Sequence, residues 1–544
     1  MRHGGKILSD QLVKLGVERV FSVPGESFLA ALDGLYDSGI RNVVCRHEGG
    51  AAMMAEAQGK LTGRPGVCFV TRGPGACNAS AGVHVARQDS TPMVLFVGQI
   101  DNSQTDRETF QEVDYKAMFG TLAKGVFQCN DTARLPEYIA RAFRLAASGR
   151  PGPVVLALPE NMLSASADMP DFSGGLTTDV TPDAGVWDDL LTRLRRAKRP
   201  LMVVGGPHWS QKAAAALAAF ATAAQIPVAT SFRRQDYMDN RHPCFAGDLN
   251  VGVNPALAAR VRDADALLLL GTRFSDIETQ GYTLVNPAGH GKTIMHIHAN
   301  PDEIGRVYGA DLGVVCRGDH AVAGLAEAMQ RQADWSGWPG EVRAARAAYE
   351  IWQDPVESPG DVKQEQVIRW LSDTLPQDAI VTNGAGNYAA WLHRYFTYKH
   401  YGTQLAPTSG SMGYGFPAAI AAALAHPAKT VVCLAGDGCF QMTCNELSTA
   451  VQHGAAPVVI VMNNGRYGTI RMHQERTYPG RVSGTTLSNP DFAALARAYG
   501  GFGIKVTDQA QFADAFAQAR AAGTVAVIEC VLDPRVLSPG ASLS

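Results

Sequence analysis

The sequence predicts an α/β protein built from three doubly wound, parallel-sheet domains. Short continuous apolar runs rich in Val, Ile and Leu recur along the whole chain and alternate with helical stretches: NVVCR, GVCFV, PMVLFVG and PVVLALP, then PLMVVGG, ADALLLLG and TIMHIHA, then DAIVTNG, TVVCLAGDG, PVVIVMNN and VAVIECV. Runs of this kind suit strands covered by helices on both faces, the situation of a parallel sheet. A length of 544 residues leaves room for three domains of about 150 residues each. Linker-like stretches rich in Pro, Gly and polar residues, SADMPDFSGGLTTDVTPDAG and WSGWPGEV through WQDPVESPGD, separate the three groups of runs. The domains predicted from them are 1–165, 185–335 and 360–535.

Composition excludes several function classes. A formal net charge of −3, with no basic stripe interleaved with aromatics, gives no electrostatic reason to expect nucleic acid or an anionic membrane. The apolar runs fall far short of the ~20 residues that a membrane span needs. The ten cysteines are scattered without a CxxC pair, which reads as reduced, mostly buried thiols. The first residues, MRHGGKILSDQLVKLG, turn amphipathic at once and lack a signal-peptide core. The expectation is a cytoplasmic protein acting on small molecules.

Two segments share one layout. Residues 67–98 run strand, GPG turn, small-residue helix, Pro, strand; residues 431–464 run strand, GDG turn, helix, Pro, strand. Any βαβ unit has this outline. The sharper reading is a pair of related domains, with Pro74 standing where the second has Asp437.

That second segment carries the clearest chemistry. Asp437 follows the run TVVCLAG and precedes a helix with Leu447, Ala450 and Val451 on one face; Asn464 closes the next run. If the two strands are neighbours, a carboxylate, an amide oxygen and free backbone N–H groups meet outside the carboxyl edge of the sheet, where α/β proteins place ligands. This is a place for Mg²⁺ bridged to a diphosphate, with the flanking glycines allowing a close approach of phosphate.

A GDG turn followed 27 residues later by the second Asn of an NN pair resembles the signature of the thiamine-diphosphate (ThDP) enzymes. The likeness runs over nearly the whole chain and is greatest to the acetolactate synthase large-subunit group: VFSVPGES, RHEGGAAMMAEAQG, RGPGACNASAG, FQEVD, GRPGPVVLALPEN, SGSMGYGFPAAIAAAL and VMNNGRYGTIR. The resemblance implies Mg²⁺ held by Asp437, Asn464 and the backbone carbonyl of Arg466. It implies a diphosphate held by Gly438, Cys439 (through its N–H) and Gly468, with Asn387 and Tyr388 from a second loop. It also implies a homodimer or homotetramer, with an aminopyrimidine half-site on the N-terminal domain and a diphosphate half-site on the C-terminal one.

Glu48, directly after the run NVVCR, would by itself read as a first-turn residue favouring a helix dipole. The resemblance makes it the catalytic carboxyl that bonds the pyrimidine ring nitrogen and promotes loss of the weakly acidic thiazolium proton. Pro74 and Asn78 match positions lining the pyrimidine, Gly410 the carbonyl that receives its amino group, and Met412 the apolar prop that bends the cofactor.

Enzymes of this type decarboxylate 2-ketoacids and then either protonate the product or join it to a second carbonyl. The His-His pair of pyruvate decarboxylases is missing here, and Thr71 stands where benzoylformate decarboxylases carry a histidine. Phe110, Gln111 and Glu112 form the tripeptide that acetolactate synthases show at the substrate channel. A carboligase is therefore expected, with a non-oxidative decarboxylase as the alternative. Four departures point to a non-standard acceptor: His473 in place of a tryptophan, Thr469 of a methionine, Ile277 of an arginine and Glu160 of a lysine. A nucleotide-dependent oxidoreductase or a catalytically silent binding protein is a remote third reading, weakened by the absence of a GxGxxG after any strand.

For the central domain, Arg150, the turn holding Gly205 and Gly206, and Arg273 match the flavin-binding version. HIHANP replaces the family's HIDIDP, so His298 and Asn300 stand in for two carboxylates, and NVG at Asn250 to Gly252 replaces MHG. Loss of those acceptors predicts weak or no FAD binding, with an ADP-like nucleotide in its place.

Overall fold

In the computed structural model, which describes residues 1–173 and 179–543, the three expected sheets are present. Each has six strands, and every pairing within them is parallel. Part of the first linker-like stretch, residues 174–178, lies outside the described residues.

Numbered in chain order, the N-terminal strands are Arg19–Ser22, Arg41–Val44, Gly66–Val70, Met93–Gln99, Gly125–Gln128 and Pro153–Pro159, arranged 2-1-3-4-6-5 across the sheet. The C-terminal strands, Ile380–Asn383, Gln404–Leu405, Val431–Gly436, Val458–Asn463, Phe502–Val506 and Ala526–Val531, are arranged 2-1-3-4-6-5 as well. The repeated layout in the sequence is thus one topology used twice. Pro74 and Asp437 each begin the helix after the third strand of their sheet.

The central sheet differs. Its strands Pro200–Val204, Val228–Thr230, Phe245–Asp248, Ala266–Leu270, Thr293–His298 and Leu312–Val315 run 3-2-1-4-5-6, the order of dinucleotide-binding folds. Among the described residues no helix is long and apolar enough to cross a membrane.

One hydrophobic core runs through both outer domains. Helix Glu48–Thr62 contributes Ala51, Met54 and Ala55, and helix Gly415–Ala425 contributes Phe416, Ala419 and Ile420. The small residues on both helices let the two domains pack helix to helix with no loop between them.

A buried polar junction fastens the third domain to this pair. Asp89, 3% exposed, takes Lys60 Nζ at 2.8 Å, Arg234 Nη2 at 3.6 Å and the N–H of Thr408 at 2.8 Å. Glu56 accepts from Thr91 Oγ1 at 2.6 Å and from the Tyr414 hydroxyl at 2.5 Å. Burial alone would raise the Asp89 carboxyl, but Lys60 and Arg234 overcome it and hold Asp89 below the usual carboxylate range. Asp89→Ala takes one carboxylate from two buried cations, leaving Lys60 with Glu56 alone at 3.2 Å. It is expected to cost about 3–5 kcal/mol, read as a lowered urea midpoint; an unchanged midpoint would show that the junction does not secure the domains.

Candidate active site

The C-terminal sheet reverses direction of build between its first and third strands, and at such a switch point two diverging loops leave a crevice. A cavity of about 250 Å³ lies there. Gly386, Asn387 and Tyr388 enter from the loop after Ile380–Asn383, and Asp437, Gly438 and Cys439 from the turn after Val431–Gly436. Asn464, Arg466, Gly468 and Thr469 follow Val458–Asn463, while Gly410 and Met412 close the opposite wall. The structure therefore gathers Asn387, Tyr388, Gly410, Met412, Asp437, Gly438, Cys439, Asn464, Arg466, Gly468 and Thr469 into one cavity. Thr469 Oγ1 ties two of these loops together, accepting from the Asn387 N–H and bonding Asn387 Oδ1, both at 2.9 Å.

Two local readings change. The helix expected after Asp437 is broken into Asp437–Gln441, a short turn at Cys444–Glu446, and Leu447–His453. Local N–H groups, not a long helix dipole, face the cavity as a result. Leu447 and Ala450 are buried, but Val451 is 37% exposed. The glycines of GDG serve their own protein: a Cβ at Gly436 would sit 2.9 Å from the Tyr388 ring, and one at Gly438 would sit 2.5 Å from the Tyr467 ring. Both are needed so that two tyrosines can pack on the turn.

Asp437 is 3% exposed. Its Oδ1 accepts from the Gly438 N–H at 2.9 Å and its Oδ2 from Asn489 Nδ2 at 2.7 Å. Burial raises its pKa, and the N–H of Gly438 and the Asn489 amide offset only part of that. Among the described residues no Lys, Arg or His lies at salt-bridge distance from it. A buried carboxylate without a cation, with an Asn464 amide oxygen and a loop carbonyl on the same wall, suits a hard divalent ion completed by ligand oxygens. Among the described residues no group of three or more His, Cys, Asp or Glu side chains could form a denser cage.

The other half of the expected site is elsewhere in the chain. Glu48 opens its helix and accepts from Asn78 Nδ2 at 2.9 Å, and it lies against the turn that holds Pro74 and Gly75. Gln111, at φ +65, packs on Gly73 in the same turn, whereas Phe110 is 74% exposed. Glu160 pairs with Arg72 at 3.0 Å. None of Glu48, Pro74, Asn78, Phe110 and Gln111 lines the cavity around Asp437. His473 is exposed on helix Gly468–Thr477, which buries no residue.

The central domain has a polar cavity at its own switch point, lined by Gly206, Arg273, Ile277 and His298 among others. Arg150 lines a neighbouring cavity with Arg273. Its guanidinium is already committed to Glu303 at 2.8 Å, Ser90 at 2.9 Å and the Arg87 carbonyl at 2.9 Å. Gly205 lies in the turn just before, its carbonyl accepting from Trp209 Nε1. Burial, with His296 adding to it, pushes His298 down to about 4, so it is uncharged at neutral pH. Asn300 binds the His298 ring through its N–H at 3.0 Å, and Asn250 donates to Asp248.

Sequence reading missed two residues. Asn489 fixes both Asp437 and the Asn463 side chain, the latter at 2.8 Å; an asparagine in the loop SNPD gives no sign of this role. Glu446, fully buried, accepts the N–H of Arg46 at 3.2 Å and of His47 at 3.0 Å, so the C-terminal domain holds the turn that carries Glu48. A lone carboxylate among the uncharged residues of CNELSTAV was the available signal.

Comparisons with known proteins agree with this architecture. Residues 2–118 match the N-terminal TPP binding domain of thiamine pyrophosphate enzymes, residues 187–325 their central domain and residues 384–530 their C-terminal TPP binding domain. The chain is 32% identical to the acetolactate synthase isozyme 2 large subunit of Escherichia coli over 503 residues, 91% of this chain and 89% of that one. It is 32% identical to the acetolactate synthase large subunit of Corynebacterium glutamicum over 533 residues, covering 95% and 84%, and 30% identical to that of Lactococcus lactis over 525 residues, covering 94% and 89%. Matched in all three domains and along nearly its full length, the chain belongs to the thiamine pyrophosphate enzymes, as a relative of the acetolactate synthase large subunits.

Proposed function

We propose that the protein is a ThDP- and Mg²⁺-dependent carboligase that decarboxylates a 2-ketoacid and joins the product to a second carbonyl compound. The observation that carries this is the cavity at the C-terminal switch point, where Asp437, buried without a cation, meets Asn464 and the 464–468 loop. In this reading the domains are 1–165, 185–335 and 360–535, and the ten free thiols suit a cytoplasmic location.

ThDP, when bound, supplies the electron sink that makes decarboxylation of a 2-ketoacid feasible. The residues of this chain do the rest. Asp437, Asn464 and the Arg466 carbonyl would hold Mg²⁺, and Gly438 and the Cys439 N–H would receive the diphosphate, the Gly438 N–H being engaged by Asp437 Oδ1. Asn387, Tyr388 and Gly468 shape its surroundings. The Gly410 carbonyl and the Met412 side chain would orient the aminopyrimidine, and Pro74 and Asn78 would line it. The Glu48 carboxyl, kept in place by Asn78, holds and passes a proton at the pyrimidine ring nitrogen. Phe110, Gln111, Thr469 and His473 flank the substrate path, and the Arg72–Glu160 pair makes that path unlike one with a free lysine, which favours an acceptor outside the usual ketoacids.

Glu48 does not line the cavity around Asp437, which supports a site completed by two chains. Apolar residues left exposed near both halves, Phe110, Met442, Val451 and Ile470, support a homodimer or a homotetramer built from it. For the central domain we propose weak or no FAD binding and an ADP-like nucleotide instead, because Arg150 is spent on Glu303 and His298 offers no carboxylate to ribose hydroxyls.

Incubating the protein with Mg²⁺, ThDP and pyruvate beside a panel of aldehydes and ketoacids should give a new 2-hydroxyketone by mass spectrometry; a free aldehyde as sole product would reinstate the decarboxylase. Glu48→Gln should bind ThDP normally and lose about 10²–10⁴-fold in turnover. Asp437→Ala should lose the metal-dependent rise in melting temperature that ThDP gives the parent protein. Mixing these two inactive variants under subunit exchange should restore activity, and an active monomer in sedimentation would contradict the shared site. Purified protein should be colourless; stoichiometric FAD released on denaturation would overturn the reading of the central domain.

A further inference from the structure

The segment TSFRRQDYM follows the second strand of the central domain, and its Arg233 is 4% exposed in a left-handed conformation, φ +59. A non-glycine residue holds such a backbone only where its surroundings demand it. Arg233 Nη1 donates to the Pro407 carbonyl at 2.5 Å, and the guanidinium lies 4.8 Å from the Phe232 ring centre. Among the described residues no carboxylate stands at salt-bridge distance from it, and its Nε has no partner. Asp89 is claimed by Lys60, Arg234 and Thr408, and Asp236 by the N–H groups of Gly402, Thr403 and Gln404. His393, whose ring nitrogens are both unpartnered, is pushed down to about 3 by burial and then by Arg233, so it brings no charge. A buried cation so poorly compensated is costly, and a protein tolerates it where a function depends on it.

Two facts say what depends on it. The Pro407 carbonyl that Arg233 holds is also the acceptor of the Gly410 N–H at 3.0 Å, so Arg233 closes the turn that presents Gly410, at φ +68, and leads into Met412 on the cavity wall. Arg233 itself does not line that cavity, whereas Gly410 and Met412 do, so its reach to the cavity is through the turn.

We propose that Arg233 is a positioning residue for the cofactor: from the central domain it clamps the Pro407–Gly410 turn that brings Gly410 and Met412 to the cavity wall. This rests on the cavity being the ThDP site. It gives the central domain a direct part in cofactor binding that does not depend on any nucleotide in its own cavity.

Arg233→Met and Arg233→Lys would be purified without cofactor and titrated with ThDP at fixed Mg²⁺, following melting temperature and the emission of Trp391 on the cavity wall. The methionine variant should keep or raise the melting temperature of the cofactor-free protein, since an uncompensated charge has been removed. It should bind ThDP at least about tenfold more weakly, and the lysine variant should fall between it and the parent. A residue with a merely structural role would shift the cofactor-free melting temperature and leave the affinity alone. A methionine variant that binds as tightly as the parent overturns the inference. Should that variant not fold, the lysine variant decides, because unaltered affinity there refutes the clamp. A parent protein that shows no response to ThDP removes the functional reading itself and this inference with it.

Discussion

The geometry of the cavity depends on the parallel pairing of three strands, Ile380–Asn383, Val431–Gly436 and Val458–Asn463. Parallel strands end at one edge of the sheet, so the residues just past each strand become neighbours although they are dozens of positions apart in sequence. Asn387, Asp437 and Asn464 meet for this reason alone. Since strands 1 and 3 send their helices to opposite faces, the loops part above the sheet and leave room for a ligand. The N-terminal sheet has the same strand order, and there the corresponding edge presents Thr71, Gly73 and Pro74, with Glu48 two strands away, past Arg19–Ser22.

The identical topology of the two outer sheets, with chemistry of different kinds at each edge, explains why the protein keeps both. One edge offers a buried carboxylate and backbone N–H groups, suited to a metal and an anion. The other offers a part-exposed carboxylate bonded to an amide, suited to a proton relay. Within one chain these edges are held in fixed relation by helix Glu48–Thr62 packed on helix Gly415–Ala425 and by Glu446, whose carboxylate caps the backbone just before Glu48. The contact that holds the turn before Glu48 thus comes from the same chain's C-terminal domain.

The central domain is more than a spacer. Its order 3-2-1-4-5-6 is that of a nucleotide-binding fold, yet the polar groups at its switch point are largely satisfied by each other: Arg150 by Glu303, Asn250 by Asp248, His298 by Asn300. Buried ties run outward from it, through Arg234 to Asp89 of the N-terminal domain and through Arg233 and Asp236 to the 402–407 segment of the C-terminal domain. Buried polar contacts of this kind are geometrically exacting, and they fix how the three domains are joined.

The sequence by itself determined the class of fold and singled out Asp437 and Asn464, which line one cavity. Apolar runs bounded by turn residues fix strands and their burial because the period and length of such runs are local properties. The GDG–NN spacing identified Asp437 and Asn464 for the same reason: strand, helix, strand is a local unit whose ends must coincide. Tertiary structure alone decided which distant side chains meet. Asn489 braces Asp437, Glu446 holds the turn of Glu48, and Arg233 reaches Pro407 across 174 positions, none of which a local pattern encodes. It also decided that the GDG glycines make room for Tyr388 and Tyr467, and that the helix after Asp437 breaks. Close approach and capping are settled by what packs against a segment, and that partner is chosen by the whole fold.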